Sequence, residues 1–226
     1  MQINYCIYSI QRSGRHIVEK FLRQLNYNFC NCGSIDDETI TKECYNTHIH
    51  LKHEGGNNFN FNRIKKCIFL YRKDIVEQID ANIRLLYTQT VTKKYLQTTQ
   101  EHLSCTIDPN LSYEEIISVI KTSGVQFNIH TAVHGVRKFY KQMEENQNSN
   151  TLFVDFDSLI YDSNVQLKKI AKFISSDTIN DITIDSAIDK FMLTFGEYVK
   201  KNMSVKNYNK LKKLIDTCSV EDTVKK

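Results

Sequence analysis

Cys67-Ile68-Phe69-Leu70-Tyr71 is an unbroken apolar run that leads directly into Arg72 and then Asp74. A strand with one wet face alternates apolar and polar residues. A run without alternation is covered on both faces, the condition of a central strand in a parallel sheet. Parallel strands need crossover connections, usually helices. The residues after Arg72 supply one. Asp74 is a natural N-cap, Glu77 follows three residues later at near capping-box spacing, and Ile75, Val76, Ile79, Ile83 and Leu86 share one helical face. Arg72 is therefore expected at the carboxyl end of a central strand, where open α/β sheets bind ligands.

The same order of strand, basic turn and helix opens the chain. Ile3 to Ile10 is a strand-like run rich in β-branched and aromatic residues, and Ile17, Val18, Phe21, Leu22 and Leu25 fall on one face of a helix. Between them lie Arg12, Ser13, Gly14, Arg15 and His16. A tight turn entering a helix N-terminus gathers unpaired backbone N–H groups and the positive end of the helix dipole, which suits an anion. Two such units predict an α/β fold with a central, mostly parallel sheet flanked by helices.

The remaining segments extend that pattern. Cys44 to Leu51 alternates like a strand, with His48 at a strand end as a candidate base near neutral pH. Residues 88–110 are threonine-rich and lose periodicity, which predicts a lid or substrate loop. Tyr113 to Glu145 reads as two helices parted near Gly124, and Thr151 to Phe156 as a further strand. A helix follows, with Ser163 and Gln166 at capping-box spacing and Leu167, Ile170, Ala171 and Ile174 on its apolar face. Residues 176–226 are expected to be helical, with a lysine-rich end. The whole of 1–226 is expected to form a single domain.

Composition narrows the function. A net charge of +4 suits a small anionic ligand, and the dispersed basic residues carry no aromatic-basic motif for nucleic acid. No apolar run reaches the length of a membrane span, and no signal-peptide pattern is visible. Seven cysteines in such a chain predict free thiols and a cytoplasmic setting. Cys30, Cys32, Cys44, His48, His50 and His53 lack the paired spacing of a zinc site, so no metal is expected.

Three segments, in order, resemble the sulfotransferase family that uses 3′-phosphoadenosine 5′-phosphosulfate (PAPS) and releases adenosine 3′,5′-bisphosphate (PAP). Ser9 to His16 is similar to the 5′-phosphosulfate loop, Ile68 to Val76 to the 3′-phosphate motif, and Thr151 to Ile174 to the later strand, turn and helix. Asn46-Thr47-His48 resembles the Lys-Thr-His strand end that holds the family's base. The resemblance covers about residues 1–175 and implies a P-loop-like, three-layer architecture. It implies that Ser13, Gly14, Arg15 and His16 cradle the 5′-phosphosulfate, that Arg12 steadies the leaving oxygen and that Arg72 pairs with the 3′-phosphate. His48 would take the acceptor's proton. The acceptor would be a hydroxyl or amine on a small molecule, carbohydrate or protein.

Departures keep rivals open. Arg15 and His16 replace hydroxyl residues of the family loop, and Asp80 falls where the family has a serine near the 3′-phosphate. The later Arg-Lys-Gly segment has only Lys200-Lys201 as a counterpart. A nucleotide or nucleoside kinase with a degenerate phosphate loop is one alternative, although the Gly-x-x-x-x-Gly-Lys-Ser/Thr loop is absent. A non-catalytic binding module on the same fold is the other.

Overall fold

Residues Cys6 to Ile10 are buried one after another, as are Cys67 to Leu70, so these two strands have both faces covered. In a computed structural model they lie side by side at the centre of a sheet. The structure describes residues 3–10, 12–28, 30–32, 46–51, 61–94, 96, 105, 107–108, 110–125, 127–176, 178–195 and 204–218; for 30–32, 46–51, 63 and 195 it describes the backbone. The elements are β1 (Ile3–Ile10), α1 (Arg15–Gln24), β2 (Cys30–Cys32), β3 (Asn46–Leu51), β4 (Ile64–Tyr71), α2 (Ile75–Thr92), α3 (Tyr113–Thr122), α4 (Ile129–Glu145), β5 (Thr151–Asp155), α5 (Phe156–Tyr161), α6 (Ser163–Ser175), α7 (Asp181–Phe195) and α8 (Val205–Asp216).

The chain divides into two compact units. The first takes in Met1–Lys73 and Lys138–Glu197. It holds a five-stranded sheet in the order β2-β3-β1-β4-β5, every pair parallel. The fold is thus α/β with a parallel sheet, as the unbroken apolar runs require. Cross-strand partners Tyr8, Phe69 and Phe153 form an aromatic row, with centroid spacings of 5.4 and 5.3 Å. Phe139 of α4 stacks on Tyr8 at 5.4 Å, and the Tyr8 hydroxyl donates to Gln142 Oε1 at 2.5 Å. Helix α1 packs against α6 and α7, with Phe21 edge-on to Phe191 at 5.9 Å. Cys6 and Cys67 are register partners, both free and buried; burial pushes the Cys6 thiol up, and Cys67 beside it adds to the shift.

The second unit takes in Asp74–Arg137 and Tyr198–Lys226. Asp74 caps α2 by accepting from Val76 N at 2.7 Å, and its other oxygen accepts from Tyr208 Oη of α8 at 2.7 Å. Asp80 is 1% exposed and has partners of its own: it pairs with Arg84 one turn on and accepts from Tyr113 Oη of α3 at 2.7 Å. Burial first, and then the Asp80 charge, pushes the Tyr113 phenol well above its usual range. Helix α3 opens on a reciprocal capping box that the sequence pattern did not single out. Ser112 Oγ accepts from Glu115 N at 3.2 Å, and Glu115 Oε2 accepts from Ser112 N at 2.7 Å. Ser112→Ala is expected to cost about 1 kcal/mol in a urea unfolding midpoint, whereas no change would remove this box from the stabilising set.

Two local expectations need correction. Helix α2 continues to Thr92, so residues 88–92 are helical and not the start of a loop. The β-branched threonines weaken the pattern, but Thr92 Oγ1 bonds back to the Thr88 carbonyl at 2.7 Å and Thr90 meets Ser123 of the loop after α3. Ser163 and Gln166 do not form a capping box. Asp162 is the N-cap of α6, and the Ser163 hydroxyl instead donates back to the Leu159 carbonyl at 2.8 Å. Residues 97–104 of the expected lid, and Lys200-Lys201, lie outside the described residues. No helix among the described residues is long and apolar enough to cross a membrane.

Candidate functional site

The strand register brings several strand ends level. Ser9 of β1 lies beside Leu70 of β4, and Tyr71 lies beside Asp155 of β5. The turn that follows β1 is built from two left-handed residues with Ser13 between them. Arg12 has φ 71° and Gly14 has φ 91°, both left-handed. For a residue with a side chain that conformation costs about 1 kcal/mol and persists only where neighbours impose it. Ser13, 1% exposed, donates its hydroxyl to the Ile10 carbonyl at 2.7 Å and closes the turn on β1. Gly14 then serves as N-cap of α1, its carbonyl accepting from Ile17 N at 3.0 Å. A glycine cap offers no side-chain oxygen, so the helix start relies on backbone N–H groups and whatever acceptor meets them.

Gly14 is required for a second reason. A Cβ at this position would stand 2.8 Å from Leu159 Cδ2 and 3.1 Å from Phe156 Cδ2. The turn is seated on the start of α5, which follows β5 directly.

Arg72 is drawn into the same assembly. Only 8% exposed, it donates from Nε to the Arg12 carbonyl at 3.1 Å. Its guanidinium lies 4.0 Å above the Phe156 ring centroid, a cation–π stack. Its own carbonyl accepts from the Tyr140 hydroxyl of α4. Arg12, Ser13, Gly14 and Arg72, chosen from segments sixty residues apart, thus meet at adjacent strand ends.

Arg15 and His16 turn toward α1 itself. Arg15 Nε is 3.6 Å from Glu19 Oε1, His16 Nδ1 is 3.9 Å from Glu19 Oε2, and Arg15 Nη2 meets His16 Nε2 at 3.1 Å. Glu19 is 6% exposed, so a nearly buried carboxylate faces the Arg15 charge and the His16 ring together.

Asp155 closes β5 and caps α5. It accepts from Asp157 N and Ser158 N, each at 3.1 Å, and from the Ser158 hydroxyl; Lys73 Nζ is 3.6 Å away. Burial raises its carboxyl, but the Ser158 bonds and the Lys73 charge outweigh it and hold the group below the usual carboxylate range. A lowered folded-state pKa gives stability that is present above the unfolded value and lost as pH falls through the folded one. Asp155→Asn is therefore expected to cost about 1–2 kcal/mol at pH 7 and progressively less below about pH 4. Paired unfolding curves at the two pH values check this; a gap that stays constant with pH would contradict it.

His48 stands elsewhere than at its strand's end. Strand β3 runs to Leu51, and His48 pairs with Ile7 of β1 and Asn31 of β2, about 10 Å short of the carboxyl end at 3.3 Å per residue. His50 is the residue level with Ser9. Alternation continues through Cys44 to Leu51 and marks a face without marking where the strand stops. The histidine side chains of β3, with Cys44 and His53, lie outside the described residues, and no cluster of three metal-ligating side chains occurs among the described ones.

Phe156, Tyr140 and Glu19 belong to the site without any sequence pattern that marks them. Phe156 reads as the last residue of an apolar strand, and Tyr140 as one of an apolar helical stripe. Only Asp155 carries a usable signal, an acidic residue with a hydroxyl three positions on.

No family model and no curated protein matches the chain in sequence. Solved structures do match in fold. Mouse sulfotransferase SULT7A1 complexed with PAP aligns over 92% of this chain and 74% of its own, at 13% identity and a TM-score of 0.49. Retinol dehydratase in complex with androsterone and inactive cofactor PAP aligns over 99% of this chain and 82% of its own, at 10% identity and a TM-score of 0.50. At such identity the likeness is one of architecture alone: the chain shares the fold of retinol dehydratase.

Proposed function

We propose that the protein transfers a sulfuryl group from PAPS to a hydroxyl or amine acceptor on a small molecule, carbohydrate or protein. The observation that carries this reading is the junction of Arg72 with the left-handed turn at Arg12 and Gly14, at the carboxyl ends of adjacent parallel strands. That junction sets the Arg72 guanidinium beside a basic turn and a helix start, a combination suited to an anion with phosphates at two positions.

The residues divide the work. Backbone N–H groups of Ser13 to His16, with the α1 dipole, hold the 5′-phosphosulfate. Arg72 holds the 3′-phosphate. Arg12 steadies negative charge on the oxygen that bridges phosphorus and sulfur as its bond to sulfur breaks. A bond from the acceptor oxygen or nitrogen to sulfur forms in line, the acceptor proton passes to a base, and PAP leaves. Catalysis of this kind rests on positioning and electrostatics and calls for no metal. His48 is proposed as that base even though it lies three residues before the end of β3, and His48→Ala is expected to cut turnover about a hundredfold while PAP still binds. Unchanged turnover would remove it from the mechanism.

Asp80 does not oppose the reading, because Arg84 and Tyr113 answer its charge. Glu19 is a brake on anion binding, since its carboxylate competes for Arg15 and His16. Glu19→Gln is expected to tighten PAP by about threefold at low salt; weaker binding would contradict that assignment.

The decisive test is turnover in excess chelator with PAPS and a mixed pool of phenols, sugars and amines, read as PAP by chromatography. Pool-dependent PAP formation supports the proposal. ATP consumption that requires Mg²⁺, without PAP formation, would replace it with the kinase reading.

A further inference from the structure

We infer that Arg72 is also a positioning residue for the turn: its Nε–H clamps the Arg12 carbonyl and holds the strained backbone that receives the 5′-phosphosulfate. The ligand half of this inference rests on the donor reading above, while the clamp itself is a property of the free protein.

Three observations converge. Arg12 is a side-chain-bearing residue at φ 71°, which needs an external support. The Arg72 Nε bond, 3.1 Å long, is made to that residue's own carbonyl. Arg72 in turn is fixed from both sides, by the Phe156 face at 4.0 Å and by the Tyr140 hydroxyl on its carbonyl. Phe156 also lies against Gly14, so one ring supports both the second left-handed residue and the arginine that holds the first. With Nε committed to the turn, the terminal guanidinium nitrogens are the part of Arg72 suited to a phosphate. One side chain then couples the two ends of the nucleotide.

Two substitutions separate these roles because of where their atoms fall. Glutamine carries an amide N–H donor on the same carbon that bears arginine Nε, but no charge. Lysine keeps the charge one carbon further out and has a methylene in place of that donor. Hydrogen exchange at the amides of Ser13 to His16 is measured first, in the free protein. Arg72→Lys is expected to exchange about fivefold faster than wild type there, and Arg72→Gln within about twofold of it. Equal rates in the two variants would overturn the clamp.

The same variants are then titrated with adenosine 5′-phosphosulfate, which lacks the 3′-phosphate, and with PAP. For the 5′-only ligand Arg72→Lys should bind about fivefold more weakly than Arg72→Gln, and for PAP the order should reverse. The same order for both ligands would leave Arg72 as a charge alone and overturn the coupling. A wild type that binds neither nucleotide would defeat the donor reading, and the exchange rates would still judge the clamp.

Discussion

Arg72→Ala should weaken PAP binding about a hundredfold or more, the largest functional effect expected of any single substitution here. Two losses add. Charge-assisted bonds from a guanidinium to a phosphate contribute about 1.5–3 kcal/mol, and their removal leaves an anion without its partner. The Nε bond to the Arg12 carbonyl disappears as well, so the turn loses its support. Lys73 is the control: it is the next residue, but its side chain is 69% exposed and pairs loosely with Asp155. Lys73→Ala should change PAP affinity by less than about threefold, because exposed charges are screened. If the two alanine variants lost affinity equally, the effect would be one of net charge and the assignment of Arg72 would fail.

Gly14→Ala should lower stability by about 2–4 kcal/mol, the largest structural effect. The added methyl meets two independent obstacles. At φ 91° a Cβ is strained by the backbone itself, and in the observed packing it would sit 2.8 Å from a carbon of Leu159. Relief requires Leu159 and Phe156 to move, and Phe156 carries the Arg72 guanidinium on its face. The variant should therefore lose PAP affinity along with stability. A urea midpoint shift checks the first claim, and titration under folding conditions the second. Gly124→Ala is the matched comparison: its φ of 80° imposes the backbone strain, but nothing lies within 4 Å of its added carbon. It should cost only about 1 kcal/mol. Equal costs at the two glycines would show that the packing against Leu159 carries no weight.

The sheet was legible because its central strands advertise themselves. Cys67 to Leu70 has no polar interruption, and only burial on both faces tolerates that. The Asp74 cap was legible for a similar local reason, since the acceptor and the N–H it serves are two residues apart. The end of α2 was not, because three threonines weaken the helical pattern and bonds to Thr88 and Ser123 restore it. For the candidate site, sequence could mark Arg12, Gly14 and Arg72 as basic and turn-forming, each at the right place along its own strand. It could not show that the Nε of one bonds the carbonyl of another sixty positions away. Phe156 was hidden for the same reason. Its role is defined by the arginine above it and the glycine beside it, and neither is a neighbour in the chain. His48 shows the opposite limit, where a three-residue resemblance suggested a strand end and the backbone register placed it in the middle of the strand.

The claim that the Arg12–Gly14 turn and Arg72 form one donor site is tested most directly by calorimetric titration with PAP in excess chelator, alongside ATP with Mg²⁺. The account predicts saturable micromolar binding of PAP without metal, lost in Arg72→Ala and retained in Lys73→Ala. No binding of PAP by the folded wild-type protein would contradict it, whether or not ATP binds.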